Sequence, residues 1–127
     1  MKLFRNKRPA YQISREEALN CIPEIIPSVH WQHLENGDVL IEYQLAIKPM
    51  LQAIFKRFNQ GKNEEIKKKL QLDSHGSRVF SFINGEKTVR EIIEEFARAT
   101  TITRQEAELS VTTFLRELGK RGIIILR

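Results

Sequence analysis

Residues 70–126 constrain this chain most, because they set three amphipathic helices, each with its own start and stop signals, between a short strand and a terminal apolar one. Asp73 or Ser74 offers an N-cap directly after Leu72. Val79, Phe80 and Ile83 then fall on one helical face, and Asn84-Gly85 ends the helix. Thr88-Val89-Arg90-Glu91 is a capping box, in which hydroxyl and carboxylate answer each other's backbone donors. Val89, Ile92, Ile93, Phe96 and Ala97 follow at helical spacing. Thr103-Arg104-Gln105-Glu106 repeats the box. Ala107, Val111, Phe114, Leu115 and Leu118 make the third stripe, and Gly122 suits the residue just past its end. Ile123, Ile124, Ile125 and Leu126 suit a buried strand better than more helix. A strand followed by a compact trio of helices is a platform for recognition, and no catalytic constellation lies in it.

Upstream the signals are sparser. Ser14-Arg15-Glu16-Glu17 is a further capping box, opening a short helix that Pro23 limits. Residues 29–34 and 39–47 read as a hairpin around Asn36-Gly37. A two-residue loop pairs Leu34 with Val39 and separates Trp31 from Ile41, Tyr43 and Leu45. A three-residue loop, Asn36-Gly37-Asp38, brings Val29 and Trp31 to that face and is preferred, because a one-residue slip exchanges the faces. Lys48-Pro49 starts a helix over residues 49–58, with Met50, Leu51, Ile54, Phe55 and Phe58 as its stripe. Residues 66–72 alternate, with Ile66, Lys68, Leu70 and Leu72 on one side and Lys67, Lys69 and Gln71 on the other, as in a half-buried strand.

The chain has 127 residues, which suits one domain, over residues 14–127, behind a flexible basic lead-in over residues 1–13. The net charge of +5 is unevenly placed. The lead-in has four basic residues and no acid, and residues 56–69 have six basic residues and two acids. Residues 70–127 are nearly neutral, with nine basic residues and eight acids. No apolar run is long enough to span a bilayer, and no signal-peptide core follows Met1. A lone cysteine, Cys21, allows no intramolecular disulfide. A cytoplasmic protein with a buried structural thiol is expected.

Chemistry is hard to place on these residues. His30 and His33 are an odd number of positions apart on a strand, so they face opposite ways and cannot share a metal. His75 reads as a surface residue beside a capping aspartate. Gly-rich phosphate loops and metalloprotease or Cys-x-x-Cys motifs are absent from the sequence. No enzyme activity and no cofactor are expected.

Leu72-Asp73, Gly76, Val79-Phe80, Ile83, Gly85, Thr88-Val89 and Glu91-Ile92, in that order and spacing, resemble the PqqD family, as do Phe114-Leu115, Leu118 and Gly122-Ile123. These are leader-peptide recognition domains of pathways that modify ribosomally made peptides. The resemblance covers residues 66–126. It implies an α+β fold, with about three antiparallel strands packed on a winged-helix-like trio. An N-terminal extension and the extra helix between strands two and three depart from the family's compact pattern.

The resemblance further implies that a precursor's leader peptide adds as a strand beside Ile66, Lys67, Lys68, Lys69, Leu70, Gln71 and Leu72. Leader side chains would enter the cleft toward the helix of residues 103–121, where Leu109, Thr112, Thr113 and Arg116 lie off the core stripe. The partners implied are the leader peptide and a modifying enzyme, possibly of radical-SAM type. The alternatives are a winged-helix DNA-binding protein and a general adaptor subunit. DNA binding would need a basic third helix, yet Arg104, Arg116, Lys120 and Arg121 there are offset by Glu106, Glu108 and Glu117.

Overall fold

A computed structural model describes residues 14–44 and 67–127. The basic lead-in, residues 45–47 of the expected hairpin, the helix expected over residues 49–58, and Ile66 lie outside those residues. Chain order within them is α1 (Arg15–Asn20), β1 (Pro23–Ile25), β2 (His30–His33), β3 (Val39–Gln44), β4 (Lys67–Gln71), α2 (Ser74–Phe82), α3 (Val89–Thr100), α4 (Arg104–Lys120) and β5 (Ile124–Leu126). The fold is α+β, as expected. One antiparallel sheet runs β2-β3-β4, and a separate two-stranded one pairs β1 with β5. The second sheet was not foreseen. Three residues at Pro23–Ile25 carry too little periodicity to stand out, and only their partners 100 positions away make them a strand.

The helices begin where the caps put them. The Ser14 hydroxyl accepts the Glu17 N–H and the Glu17 carboxylate accepts the Ser14 N–H. Thr88 and Glu91 close the same reciprocal box, which holds the Glu91 carboxyl below its ordinary range through the Thr88 N–H and hydroxyl. Asp73, not Ser74, caps α2 by accepting the Gly76 N–H at 2.8 Å. At α4 only half of the expected box forms. The Thr103 hydroxyl accepts the Glu106 N–H, and the Glu106 carboxylate takes the hydroxyl proton rather than the cap N–H. Gly122, at φ +77°, ends α4, and the Ile123 N–H reaches back to the Leu118 carbonyl.

The hairpin register differs from both alternatives. His33 pairs with Val39 and Trp31 with Ile41, so the loop is Glu35-Asn36-Gly37. The Gly37 N–H bonds the Leu34 carbonyl, and the Leu34 N–H bonds the Asp38 carbonyl. This is a type I turn closed by a left-handed residue, and Gly37, at φ +91°, takes that place. The Asn36 carboxamide accepts the Asp38 N–H at 2.9 Å and fixes the turn. The loop is offset by one residue from the preferred one, so the register shifts by two. The faces are therefore kept: Trp31 does share a side with Ile41 and Tyr43. It is still 48% exposed, because β2 is an edge strand, and it meets the core only edge-on at Phe80, with ring centroids 5.4 Å apart.

The core lies between the inner face of the larger sheet and the helical trio. Ile41, Ile92, Ile93, Val111, Leu118 and Ile123 are fully buried in it, and Phe96 nearly so. Ser77 is the buried polar exception. Its hydroxyl accepts the Val39 N–H at 2.8 Å and faces the Leu72 carbonyl at 3.4 Å. A regular ladder would join that N–H to that carbonyl directly, since the Leu72 N–H already bonds the Val39 carbonyl. The hydroxyl thus bridges the end of the β3–β4 ladder and ties α2 to it. Ser77→Ala should cost about 1–3 kcal/mol, the penalty for a buried donor left unpaired. Urea unfolding checks this; a midpoint equal to wild type would mean the bridge contributes nothing.

Candidate functional site

β4 has β3 on one side and no strand on the other among the described residues. The phase of its hydrogen bonding follows from the Leu72–Val39 bond. Bonded pairs alternate along an antiparallel ladder, so Leu72, Leu70 and Lys68 direct their backbone groups at β3. Lys67, Lys69 and Gln71 present theirs to the open edge. Side chains alternate in the opposite sense. Lys68 and Leu70 share a face with Tyr43 and Ile41, their cross-strand partners, which are buried. Lys67, Lys69 and Gln71 lie on the outer face. There Lys69 Nζ is 3.7 Å from Glu42, and Gln71 Nε2 donates to Asp38 at 3.4 Å. β4 is more open than the half-buried strand expected: Leu70 is partly covered and all three lysines are exposed.

Two contacts orient α4 against this strand. A Cβ built on Gly76 would stand 3.1 Å from the edge of the Phe114 ring and 3.4 Å from Leu72 Cβ. A glycine in the first turn of α2 therefore lets Phe114 approach Leu72. At the C-terminal end of the helix, its C-cap residue Arg121 donates from Nη1 to the Tyr43 hydroxyl of β3 at 2.9 Å, a bond that raises the guanidinium pKa. Ser110, Phe114, Glu117 and Arg121 follow one another at spacings of three and four, so they form one flank of α4, which meets Leu72 just past β4 through Phe114 and Tyr43 of β3 through Arg121. Phe114, expected to be nearly buried, is half-buried instead, because it sits on this flank rather than in mid-stripe.

The α4 residues expected to line the cleft are placed differently. Glu108 faces α1, where Arg15 donates to both its oxygens at 2.8 and 2.9 Å and holds its carboxyl below the ordinary range. The Thr112 hydroxyl donates to the Glu108 carbonyl, and Arg116 is the next residue along that side. Leu109, 69% exposed, and Thr113 stand on the solvent crest. The structure brings Leu72 together with Phe114, and Tyr43, the cross-strand partner of Lys68, together with Arg121; neither contact involves Leu109, Thr112, Thr113 or Arg116. The cue was present in the pattern. A helix that touches both the core and β4 must offer β4 the border of its apolar stripe, and Phe114 is on that border.

The remaining candidates do not gather. His75 is exposed beside the capping Asp73 and stacks edge-on with Phe96, centroids 5.8 Å apart. Cys21 is half-buried and its thiol points to the Glu17 carbonyl. A shallow hollow lined by His30, Trp31, Gln32, Leu40 and Glu42 lies on β2 and β3, away from the open β4 edge. Among the described residues, no helix is long and apolar enough to cross a membrane.

Comparison with known proteins agrees with this geometry. Residues 57–124, more than half of the chain, match the family described as "Coenzyme PQQ synthesis protein D (PqqD)". The match takes in β4, the three helices that follow and the start of β5. A solved structure, "TbiB1 in Complex with the TbiA(beta) Leader Peptide", superposes with a TM-score of 0.54 at 21% identity, over 80% of this chain and 93% of that one. That likeness establishes a shared fold. No curated protein matches the sequence. With its helical trio, open strand and glycine-lined approach all inside the matched span, the chain belongs to the PqqD family.

Proposed function

We propose that this chain recognises the leader segment of a ribosomally made precursor peptide and presents it to a modifying enzyme, with a radical-SAM enzyme as the first candidate. The chain itself binds rather than catalyses. The observation that carries this reading is the open edge of β4, whose outward backbone groups at Lys67, Lys69 and Gln71 meet no strand among the described residues, while Phe114 of α4 approaches Leu72 just past its end. An extended peptide can continue such a ladder, with main-chain bonds for affinity and alternate side chains in the cleft for selectivity. Family membership and the fold shared with a protein solved with its leader peptide support it. The lysines also protect the edge from pairing with a second copy.

DNA binding is the weaker reading. Arg104 and Arg121 on α4 are paired with Glu108 and Glu117, which leaves a poor surface for phosphates. Only weak, salt-sensitive binding to duplex DNA is expected.

An amide NMR titration with the leader segment of a candidate precursor peptide tests the proposal. Shifts should concentrate on residues 67–72 and on the 110–121 flank of α4. Shifts confined to the Asn36 loop or to residues 1–13 would place binding elsewhere.

A further inference from the structure

We infer that the cleft selects peptides carrying an acidic side chain four positions from a large apolar one, the carboxylate seated between Lys68 and Arg121 and the apolar group beside Leu72, Gly76 and Phe114. This rests on the strand-addition reading above and goes beyond it in naming the peptide's chemistry.

The two ends of the cleft differ. At one end Phe114 faces Leu72 across Gly76, three apolar surfaces beside which the Asp73 carboxylate is held by its cap bond to the Gly76 N–H. At the other, Lys68 is the cross-strand partner of Tyr43, and the Tyr43 hydroxyl receives Arg121. Two cations therefore flank one buried phenol. The single acid of that neighbourhood on α4 is Glu117, whose Oε1 is 3.4 Å from Arg121 Nε, yet that Nε is buried without a hydrogen bond. Among the described residues, Lys68 Nζ and Arg121 Nη2 have no partner. Glu42 belongs to the outer face with Lys69 and does not neutralise this end. The polar end thus keeps an excess positive charge and unused donors, while Nη1, held by Tyr43, fixes the guanidinium plane. With Nη1 on Tyr43 and Nε buried beside Glu117, Nη2 and the Lys68 ammonium are the donors left for a carboxylate.

The spacing follows from the strand. Lys68 and Leu72 are four positions apart on the same face, about 13 Å along a β-strand. A peptide paired with β4 places inward side chains at every second position. Those opposite Lys68 and Leu72 are therefore also four apart, whichever direction the peptide runs.

The test is a selection of random twelve-residue display peptides on the full chain, followed by affinity measurements on synthetic copies. Enriched peptides should carry glutamate or aspartate four positions from leucine, isoleucine, phenylalanine or tyrosine. Changing that acid to its amide should weaken binding about tenfold on the wild-type chain, the worth of a charged hydrogen bond. On Arg121→Gln the acid and amide forms should bind nearly equally, and on the exposed-site variant Lys68→Gln the gap should narrow. Thermal unfolding of both variants checks that the fold is intact. Selected peptides that lose affinity with Lys69→Pro but show no acid preference would keep the strand-addition reading and overturn this inference. Peptides insensitive to Lys69→Pro, or no enrichment at all, would overturn both.

Discussion

Phe96→Ala is expected to lower the free energy of unfolding by about 3–5 kcal/mol, the range for emptying a packed aromatic site. Phe96 sits at mid-length of α3 with 2% of its surface exposed, beside the fully buried Ile92 and Ile93. Its ring also carries the edge of His75 from the first turn of α2. Rigid neighbours on two helices cannot close over the void, so the upper part of the range applies. A domain of this size has about 5–15 kcal/mol in total, so a third or more would be lost. Urea titration should give a lower midpoint with an unchanged slope. A loss under about 1 kcal/mol would show that the ring is not a centre of packing.

The second large effect is on binding. Lys69→Pro should leave the chain folded and reduce leader affinity by about 1–3 kcal/mol, roughly 5- to 150-fold, because the incoming strand meets a missing donor and leaves its own carbonyl unpaired. The Lys69 N–H points away from β3, so the native ladder survives its removal, and an edge position tolerates proline. Leu70→Pro is the matched control. Its N–H belongs to the β3 ladder, and its removal should cost stability as well. If the two prolines act alike on folding and on binding, the assignment of inward and outward backbone groups is wrong.

Much of the fold is legible in the sequence because its determinants are local. Ser14, Asp73 and Thr88 each mark a helix start by accepting the backbone N–H three residues on, and Gly122 marks an end through its own backbone angle. Positions fixed by distant partners are not legible. β1 exists because β5 pairs with it. The Asn36-Gly37 turn is evident, but its offset depends on Gly37 taking the third loop position rather than the second. The β4 strand and its alternation are readable from Lys67 to Leu72. The wall across from it is not, because the rotation of α4 is set by Gly76 beneath Phe114 and by the Tyr43–Arg121 bond, both between residues far apart in the chain. The sequence shows that Leu109 lacks a core partner; it does not show which side of the helix faces the strand.

The union of β1 with β5 has a kinetic side. Ile22 and Arg127 exchange two backbone hydrogen bonds, and Glu24 meets Arg127 at 2.9 Å, across a closed loop of about the whole described chain. Closures of that length are entropically slow. During synthesis β1 has no ladder partner until residues 124–126 are made, whereas α1 meets α3 and α4 earlier, through Glu16–Arg90 and Arg15–Glu108. Leu19, buried to 1% in the finished protein, stays in water until the helices that α1 packs on are made. The Asn36 hairpin and the three helices can form from neighbours in sequence as they appear, so pairing of β1 with β5 is the step that completes the fold, and a chaperone that shields Leu19 would act on the newborn chain rather than on the mature one.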